Sequence, residues 1–148
     1  MYKEYIQELV QCLEATEIYG LGGRPYTNYA EAMHGMVGVF SGVKAQGGQV
    51  FFIGNGGSAA IASHMTADFM KNGGMKTYSL YDTSVSTCMG NDYGYEYIFS
   101  RPLEFLGREG DLLVAISSSG NSPQYCKCHS GGTGQGDAGS HIFWLSER

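Results

Sequence analysis

Two short loops carry the residue types best suited to holding an anion. Residues 54–58 (GNGGS) contain three glycines, which let backbone amides approach a ligand closely. A helix that begins at this loop would direct its positive end towards a bound charge. Residues 117–122 (SSSGNS) add hydroxyl donors that carry no fixed charge. Together the loops predict a cradle for a phosphorylated polyol.

The first loop also admits other interpretations. A glycine-rich stretch can be no more than a tight turn between a strand and a helix. Gly54, Gly56 and Ala59 also fit the dinucleotide pattern G-x-G-x-x-A, and Asp82 stands near the place of a ribose-binding acid. The serine-rich loop has no part in a dinucleotide site, and it favours a phosphosugar. The sequence therefore predicts no nucleotide cofactor.

The elements that must position these loops follow from hydrophobic periodicity. Helical spacing predicts helices over 2–18 and 28–46, and compact apolar runs predict strands at 49–53, 77–81 and 111–116. Further helices are predicted at about 59–71 and over 98–106, with a loop over 91–95. Strands alternating with helices predict an α/β fold, a doubly wound parallel sheet with helices on both faces. Ligands bind such sheets at the carboxyl ends of the strands, where both loops lie.

Composition and charge argue against several other classes of protein. The chain has 148 residues, a length typical of one domain, and 43% of them are hydrophobic. The net charge of −5 argues against a protein that grips nucleic acid. No apolar run approaches the ~18 residues of a membrane span. The four cysteines lack disulfide-framework spacing, which predicts a reducing cytoplasm.

Three segments carry a family resemblance. Residues 52–60 (FIGNGGSAA), 90–96 (GNDYGYE) and 110–123 (GDLLVAISSSGNSP) resemble sugar isomerase (SIS) domains, and among these the phosphoheptose isomerases. The resemblance implies isomerisation of sedoheptulose 7-phosphate to D-glycero-D-manno-heptose 7-phosphate for surface polysaccharide. It also implies a homo-oligomer, a tetramer in the family. The alternative is a non-catalytic phosphosugar-binding or adaptor SIS domain, which would not need a carboxylate at Asp68.

The resemblance also assigns roles to individual residues. It implies that the substrate contacts Asn55, Gly56 and Gly57, that Ser58, Ser117, Ser118, Ser119 and Ser122 bind the phosphate, and that Asn91 and Asp92 meet the sugar hydroxyls. His64 and Asp68 are four residues apart and share one helix face. In the family this pair is His and Glu, which transfer protons and can hold Zn²⁺. Here the acid is one methylene shorter, and without the resemblance the pair would also fit a solvated helix surface.

The resemblance ends at about residue 123. Residues 124–148 contain five glycines and no evident helical period, where the family continues with a helix, further strands and a C-terminal helix bearing a catalytic His. A one-base shift at the codon for Gln124, with suitable synonymous codons, gives Ser-Ile-Val-Asn-Ala and later V-M-Q-V-V-T-F-S-G-F-Q, both typical of the family. We therefore expect a single SIS domain made of N-terminal helices (1–48), a phosphosugar-binding core (49–123) and a frameshifted tail (124–148). Its sheet would be truncated after the third strand, and its turnover weak or absent.

The tail contains residues that can ligate metals, but their spacing argues against a site. Cys126, Cys128, His129 and His141 include a C-x-C step, which differs from the usual zinc-finger spacing. Residues 140–145 (SHIFWL) have the composition of a strand, and on composition alone they could pair at the edge of the sheet.

Overall fold

The structure is a computed structural model, and it describes residues 2–20, 23–131 and 141–146, with side chains as far as residue 128. Its helices and strands, in chain order, are α1 (Tyr2–Glu14), α2 (Tyr29–Ala45), β1 (Gln49–Gly54), α3 (Gly57–Lys71), β2 (Lys76–Ser79), α4 (Thr83–Tyr93), a 3₁₀ turn (Tyr95–Tyr97), α5 (Ser100–Leu106), β3 (Leu112–Ser117), α6 (Pro123–Gly131) and β4 (His141–Ser146). The chain divides into two compact units, Met1–Val39 and Phe40–Arg148. None of the helices formed by the described residues has the length and apolar character needed to cross a bilayer.

The first unit contains α1, a short antiparallel turn and most of α2. The turn is closed by a bridge between Tyr19 and Pro25, beside a hydrogen bond from the Gly20 amide to the Arg24 carbonyl (2.8 Å). The Tyr26 phenol then lies against the backbone of Gly35 on α2, where a side-chain methyl group would overlap it. Tyr26 can therefore pack against α2 at this point only because Gly35 has no Cβ.

The second unit is built on a parallel sheet of order β2-β1-β3-β4. Strand β1 is central, and its residues pair with β2 from Gln49 and with β3 from Val50 to Gly54. The α/β class and the parallel sheet predicted from the alternating pattern are confirmed. Since β2 and β3 lie on opposite sides of β1, the order of strands reverses there, and β1 and β3 flank the switch point.

The two faces of β1 pack against different helices. Phe52 belongs to an aromatic cluster with Phe40 of α2 and Phe69 of α3, at ring-centroid distances of 4.6 to 6.5 Å. Phe51 and Ile53 point to the opposite face, where the buried core also includes Phe99 and Tyr125. Adjacent strand residues project to opposite faces, so a strand covered on both sides is apolar throughout, as β1 is.

A buried carboxylate joins β1 and β3 at the end away from the loops. Asp111 Oδ1 accepts from the backbone amide of Gln49 (2.7 Å), and Oδ2 accepts from the backbone amide of Arg108 (2.8 Å) and from Gln49 Nε2 (3.2 Å). The aspartate of the G-D-L-L-V segment therefore has a structural role, which the sequence did not reveal.

Two sequence predictions about residues 124–148 are wrong. The sheet does not end at its third strand, because β4 pairs with β3 in parallel from His141 opposite Leu112 to Ser146 opposite Ser117. This fourth strand coincides with residues 140–145, which have the composition of a strand. The start of the tail is also helical, since α6 buries Tyr125 and Cys128, three residues apart on one face.

The segment predicted as a loop over 91–95 is helical over most of its length. Asp82 begins α4 by accepting a hydrogen bond from the Val85 amide (2.9 Å), and the helix runs to Tyr93. It ends at Gly94, whose φ of 105° suits glycine. The N-cap at Asp82 explains the difference, because it starts a helix whose interior has weak helical propensity.

Candidate functional site

The two predicted anion-binding loops lie side by side. Gly54 at the end of β1 is in register with Ile116 near the end of β3, and both loops follow at the carboxyl edge of the sheet. This edge, beside the switch point, is where open α/β sheets bind ligands.

The first loop requires glycine at two positions. A Cβ at Gly54 would lie 2.5 Å from the carbonyl oxygen of Ser58, because the chain folds back closely on itself. Gly56 has a φ of 57° and precedes α3 without capping its N-terminus through a side chain. The amides of Ser58 and Ala59 donate to the backbone carbonyls of Asn55 and Gly56 (3.1 and 3.0 Å), and no side-chain oxygen from Gly56 competes with an anion for the positive end of the helix.

The serines of the second loop differ in their surroundings. Ser117 is buried, and its hydroxyl accepts a hydrogen bond from the Gly120 amide (3.0 Å), which folds the loop. Ser118 and Ser119 are exposed. The Ser122 carbonyl accepts from the Tyr125 amide (3.0 Å) at the start of α6. The exposed hydroxyls are thus presented on a loop whose backbone is fixed by its own hydrogen bonds.

Three residues that were not predicted from the sequence hold the loops in place, namely Tyr81, Tyr125 and Gln124. The Tyr81 hydroxyl donates to the Gly54 carbonyl (2.8 Å), and burial raises the pKa of this hydroxyl, so it remains a donor. Tyr125 donates from its hydroxyl to the Ile116 carbonyl (3.3 Å). The Asn55 side-chain amide donates to Gln124 Oε1 (3.3 Å). Tyr81 and Tyr125 are large polar residues beside apolar strands, which is the one signal the sequence offered for them.

The pair His64 and Asp68 lies on α3, as the spacing predicted. His64 Nε2 is 3.3 Å from Asp68 Oδ2, and the side chains are 72% and 42% exposed. The Asp68 carboxylate also accepts a long hydrogen bond from the side-chain amide of Asn72 (3.5 Å). The two groups are thus close enough to exchange a proton and are open to a ligand.

Asn91 and Asp92 lie in the last turn of α4, and both are exposed. The Asn91 side-chain amide donates to Asp92 Oδ1 (2.9 Å), and Cys88 donates from Sγ to Asp92 Oδ2 (3.4 Å). Among the side-chain hydrogen bonds of the described residues, none links this pair to the two loops. Their predicted contact with sugar hydroxyls stays a prediction.

The donors available for a metal ion are incomplete. Within the described part of the chain, no cluster of three or more His, Cys, Asp or Glu side chains could hold a metal. His64 and Asp68 supply two ligands, whereas protein zinc sites use three or four. In the tail, Cys126 is exposed and Cys128 is buried, while the side chains of His129 and His141 lie outside the described residues. The described residues alone therefore do not fit a zinc site.

Comparison with known proteins agrees with this geometry. The SIS domain model matches residues 24–136, and the chain belongs to this family. It is 49% identical over 85 residues to the phosphoheptose isomerase of Burkholderia pseudomallei (strain K96243), covering 53% of this chain and 43% of that protein. The chain thus spans less than half the length of this curated relative.

Two solved structures are also similar. The phosphoheptose isomerase of Neisseria gonorrhoeae matches with a TM-score of 0.68 and 35% identity, over 75% of this chain and 59% of that one. A phosphoheptose isomerase from Francisella tularensis matches with a TM-score of 0.77 and 24% identity, over 98% of this chain and 70% of that one. The second likeness concerns the fold alone.

Proposed function

We propose that this chain provides the phosphosugar-binding core of an aldose–ketose isomerase acting on sedoheptulose 7-phosphate. The observation that carries the proposal is the position of a helix N-terminus that has no side-chain cap beside a serine loop, at the ends of two neighbouring strands. Relatives named phosphoheptose isomerase support the choice of substrate. The product would be D-glycero-D-manno-heptose 7-phosphate, a precursor for surface polysaccharide.

The length of the substrate supports the same choice. His64 lies seven residues after Gly57, the first residue of α3, which is about 10 Å along the helix axis. In a seven-carbon 7-phosphate, about eight bonds separate phosphorus from C1, and an extended chain covers roughly 10 Å over them. A three-carbon phosphate would reach only about half as far. A phosphate at the helix N-terminus would therefore bring C1 level with His64, while the backbone of Asp68 lies about 6 Å further along the axis and its carboxylate reaches back to within 3.3 Å of the His64 ring.

The proposed chemistry uses the chain's own groups. Asp68 would remove a proton from C1 of the ketose to form an enediol and return it to C2, while His64 would move the hydroxyl proton from O1 to O2. The helix N-terminus and serine hydroxyls hold the phosphate, so that the reacting carbons are fixed relative to the base. Zn²⁺ stays a prediction, because it would need donors beyond His64 and Asp68. No step here depends on it.

The proposal includes a homo-oligomer in the cytoplasm. In α1, no residue is buried, and its apolar face exposes Tyr5, Leu9 and Leu13 among others. A helix with one apolar face usually covers it, and further copies of this chain would do so. Cytoplasmic location is supported by the spacing of the four cysteines, which is not that of a disulfide framework.

The test combines binding with proton exchange. Sedoheptulose 7-phosphate is titrated calorimetrically, and then incubated with the protein in D₂O while deuterium at C1 is followed by mass spectrometry. We expect the wild type to bind the sugar phosphate and to exchange deuterium slowly, in keeping with the weak turnover expected from the sequence. Asp68→Asn should bind the sugar but lose exchange, because the amide cannot accept the carbon-bound proton.

The matched control is Asp82→Asn, which makes the same change at the N-cap of α4 and should preserve both properties. Binding without exchange in the wild type would instead favour a non-catalytic phosphosugar-binding domain. Absence of binding would overturn the proposed function.

A further inference from the structure

Two consecutive residues of α6 hold Asn55 at two different points. Gln124 accepts a hydrogen bond from the Asn55 side-chain amide (3.3 Å). The backbone of Asn55 also forms a hydrogen bond with Tyr125. Burial raises the pKa of Tyr125, and this hydrogen bond partly offsets that rise. Asn55 is thus the one residue of the first loop whose backbone and side chain both meet the helix that follows the second loop.

The groups that hold Asn55 are themselves fixed. Tyr125 is 1% exposed, and its ring stacks on Phe99 with a centroid distance of 6.2 Å and an interplanar angle of 9°. Its hydroxyl also donates to the Ile116 carbonyl, so that one phenol oxygen connects the end of β3 to the loop after β1. Gln124 is 6% exposed. Buried and packed side chains keep one rotamer, which makes them firm supports for a more exposed neighbour.

We propose that Gln124 and Tyr125 are positioning residues that lock Asn55 to the serine loop, so that its side chain is already oriented when a sugar phosphate binds. The inference rests on the proposed function, in which Asn55 contacts the sugar. An asparagine amide has two N–H donors and one oxygen acceptor, and the bond to Gln124 occupies one donor. The other donor and the oxygen remain for hydroxyl groups of the ligand.

The gain in affinity for the sugar phosphate is entropic, because the Asn55 side chain loses its rotamer freedom when the protein folds and not when the ligand binds. A free asparagine side chain samples several rotamers, and a ligand that selects one of them must oppose that freedom. The lock confines the side chain in the free protein, and the phosphate is held separately by the serine loop. The positioning effect should therefore depend on the sugar part of the ligand and not on its phosphate.

A double-mutant cycle tests this separation by calorimetric titration. We expect Gln124→Ala to weaken sedoheptulose 7-phosphate binding by about fivefold to tenfold, as for one lost hydrogen bond, and inorganic phosphate by less than about twofold. In an Asn55→Ala background, Gln124→Ala should change sugar phosphate affinity by less than about twofold, because the group it orients is gone. Equal losses for both ligands, or the full loss in the Asn55→Ala background, would overturn the proposal.

A second measurement needs no ligand. Tyr125→Phe keeps the buried ring but removes the hydroxyl, and it should speed hydrogen exchange at the Asn55 amide by about tenfold. The matched control is Tyr78→Phe on the edge strand β2, where the side chain is half-exposed and Asn55 exchange should not change. Unchanged exchange in Tyr125→Phe refutes the lock. If the wild type binds no sugar phosphate, the proposed function fails, while the exchange rates still decide whether Asn55 is held.

Discussion

Replacing Asp111 with asparagine isolates the contribution of the buried carboxylate to stability. Its two oxygens accept from two different backbone amides, those of Gln49 and Arg108. Asparagine has the same shape but only one acceptor oxygen, so its NH₂ group must face one of these donors. One partly buried backbone N–H is then left without an acceptor, which costs about 1–3 kcal/mol. We expect Asp111→Asn to lower the free energy of unfolding by about 2 kcal/mol.

Urea unfolding followed by circular dichroism measures this change, with Asp82→Asn as the control. The Asp82 side chain accepts the Val85 amide as an N-cap, a position where asparagine performs as well as aspartate. We expect the control to lie within about 0.5 kcal/mol of the wild type, and the Tm of Asp111→Asn to fall by about 6 °C. If Asp111→Asn and Asp82→Asn were equally stable, the claim that both oxygens of Asp111 are needed as acceptors would be refuted.

Two further predictions concern a glycine pair and a thiol. Gly35→Ala should destabilise the chain by about 1–3 kcal/mol in urea unfolding, since the methyl group displaces Tyr26. A Cβ at Gly38 meets no atom within 4 Å, so Gly38→Ala should stabilise the chain by about 0.5–1 kcal/mol. Equal changes in stability for the two variants would contradict the packing of Tyr26 against Gly35. The Asp92 carboxylate raises the pKa of Cys88 above its ordinary value of 9.0, so less thiolate exists at pH 8. Asp92→Asn should therefore speed alkylation of Cys88 by iodoacetamide, followed by mass spectrometry, and an unchanged rate would exclude that interaction.

The positions of the two loops were predictable because strand ends and glycine patterns are local signals. Apolar runs defined β1 and β3, and parallel pairing then brought their carboxyl ends together without further information. Gln124 and Tyr125 could not be assigned, because their roles depend on contacts with residues far away in the sequence. The helical face of α6 was also overlooked, since it shows only Tyr125 and Cys128 before the glycine-rich segment, and tyrosine marks burial less clearly than leucine does.

The order of the strands also determines when the site can form as the chain is synthesised. The unit β1-α3-β2 is complete in the chain by Ser79, before the residues of β3 and α6 have been made. The serine loop joins it only when β3 docks on the free side of β1, and Asn55 meets its two supports only after Tyr125 has followed. A nascent chain therefore contains β1 and β2 before it has the residues that complete the proposed sugar phosphate site. A ligand in the cell can stabilise only chains that have passed the last of these steps.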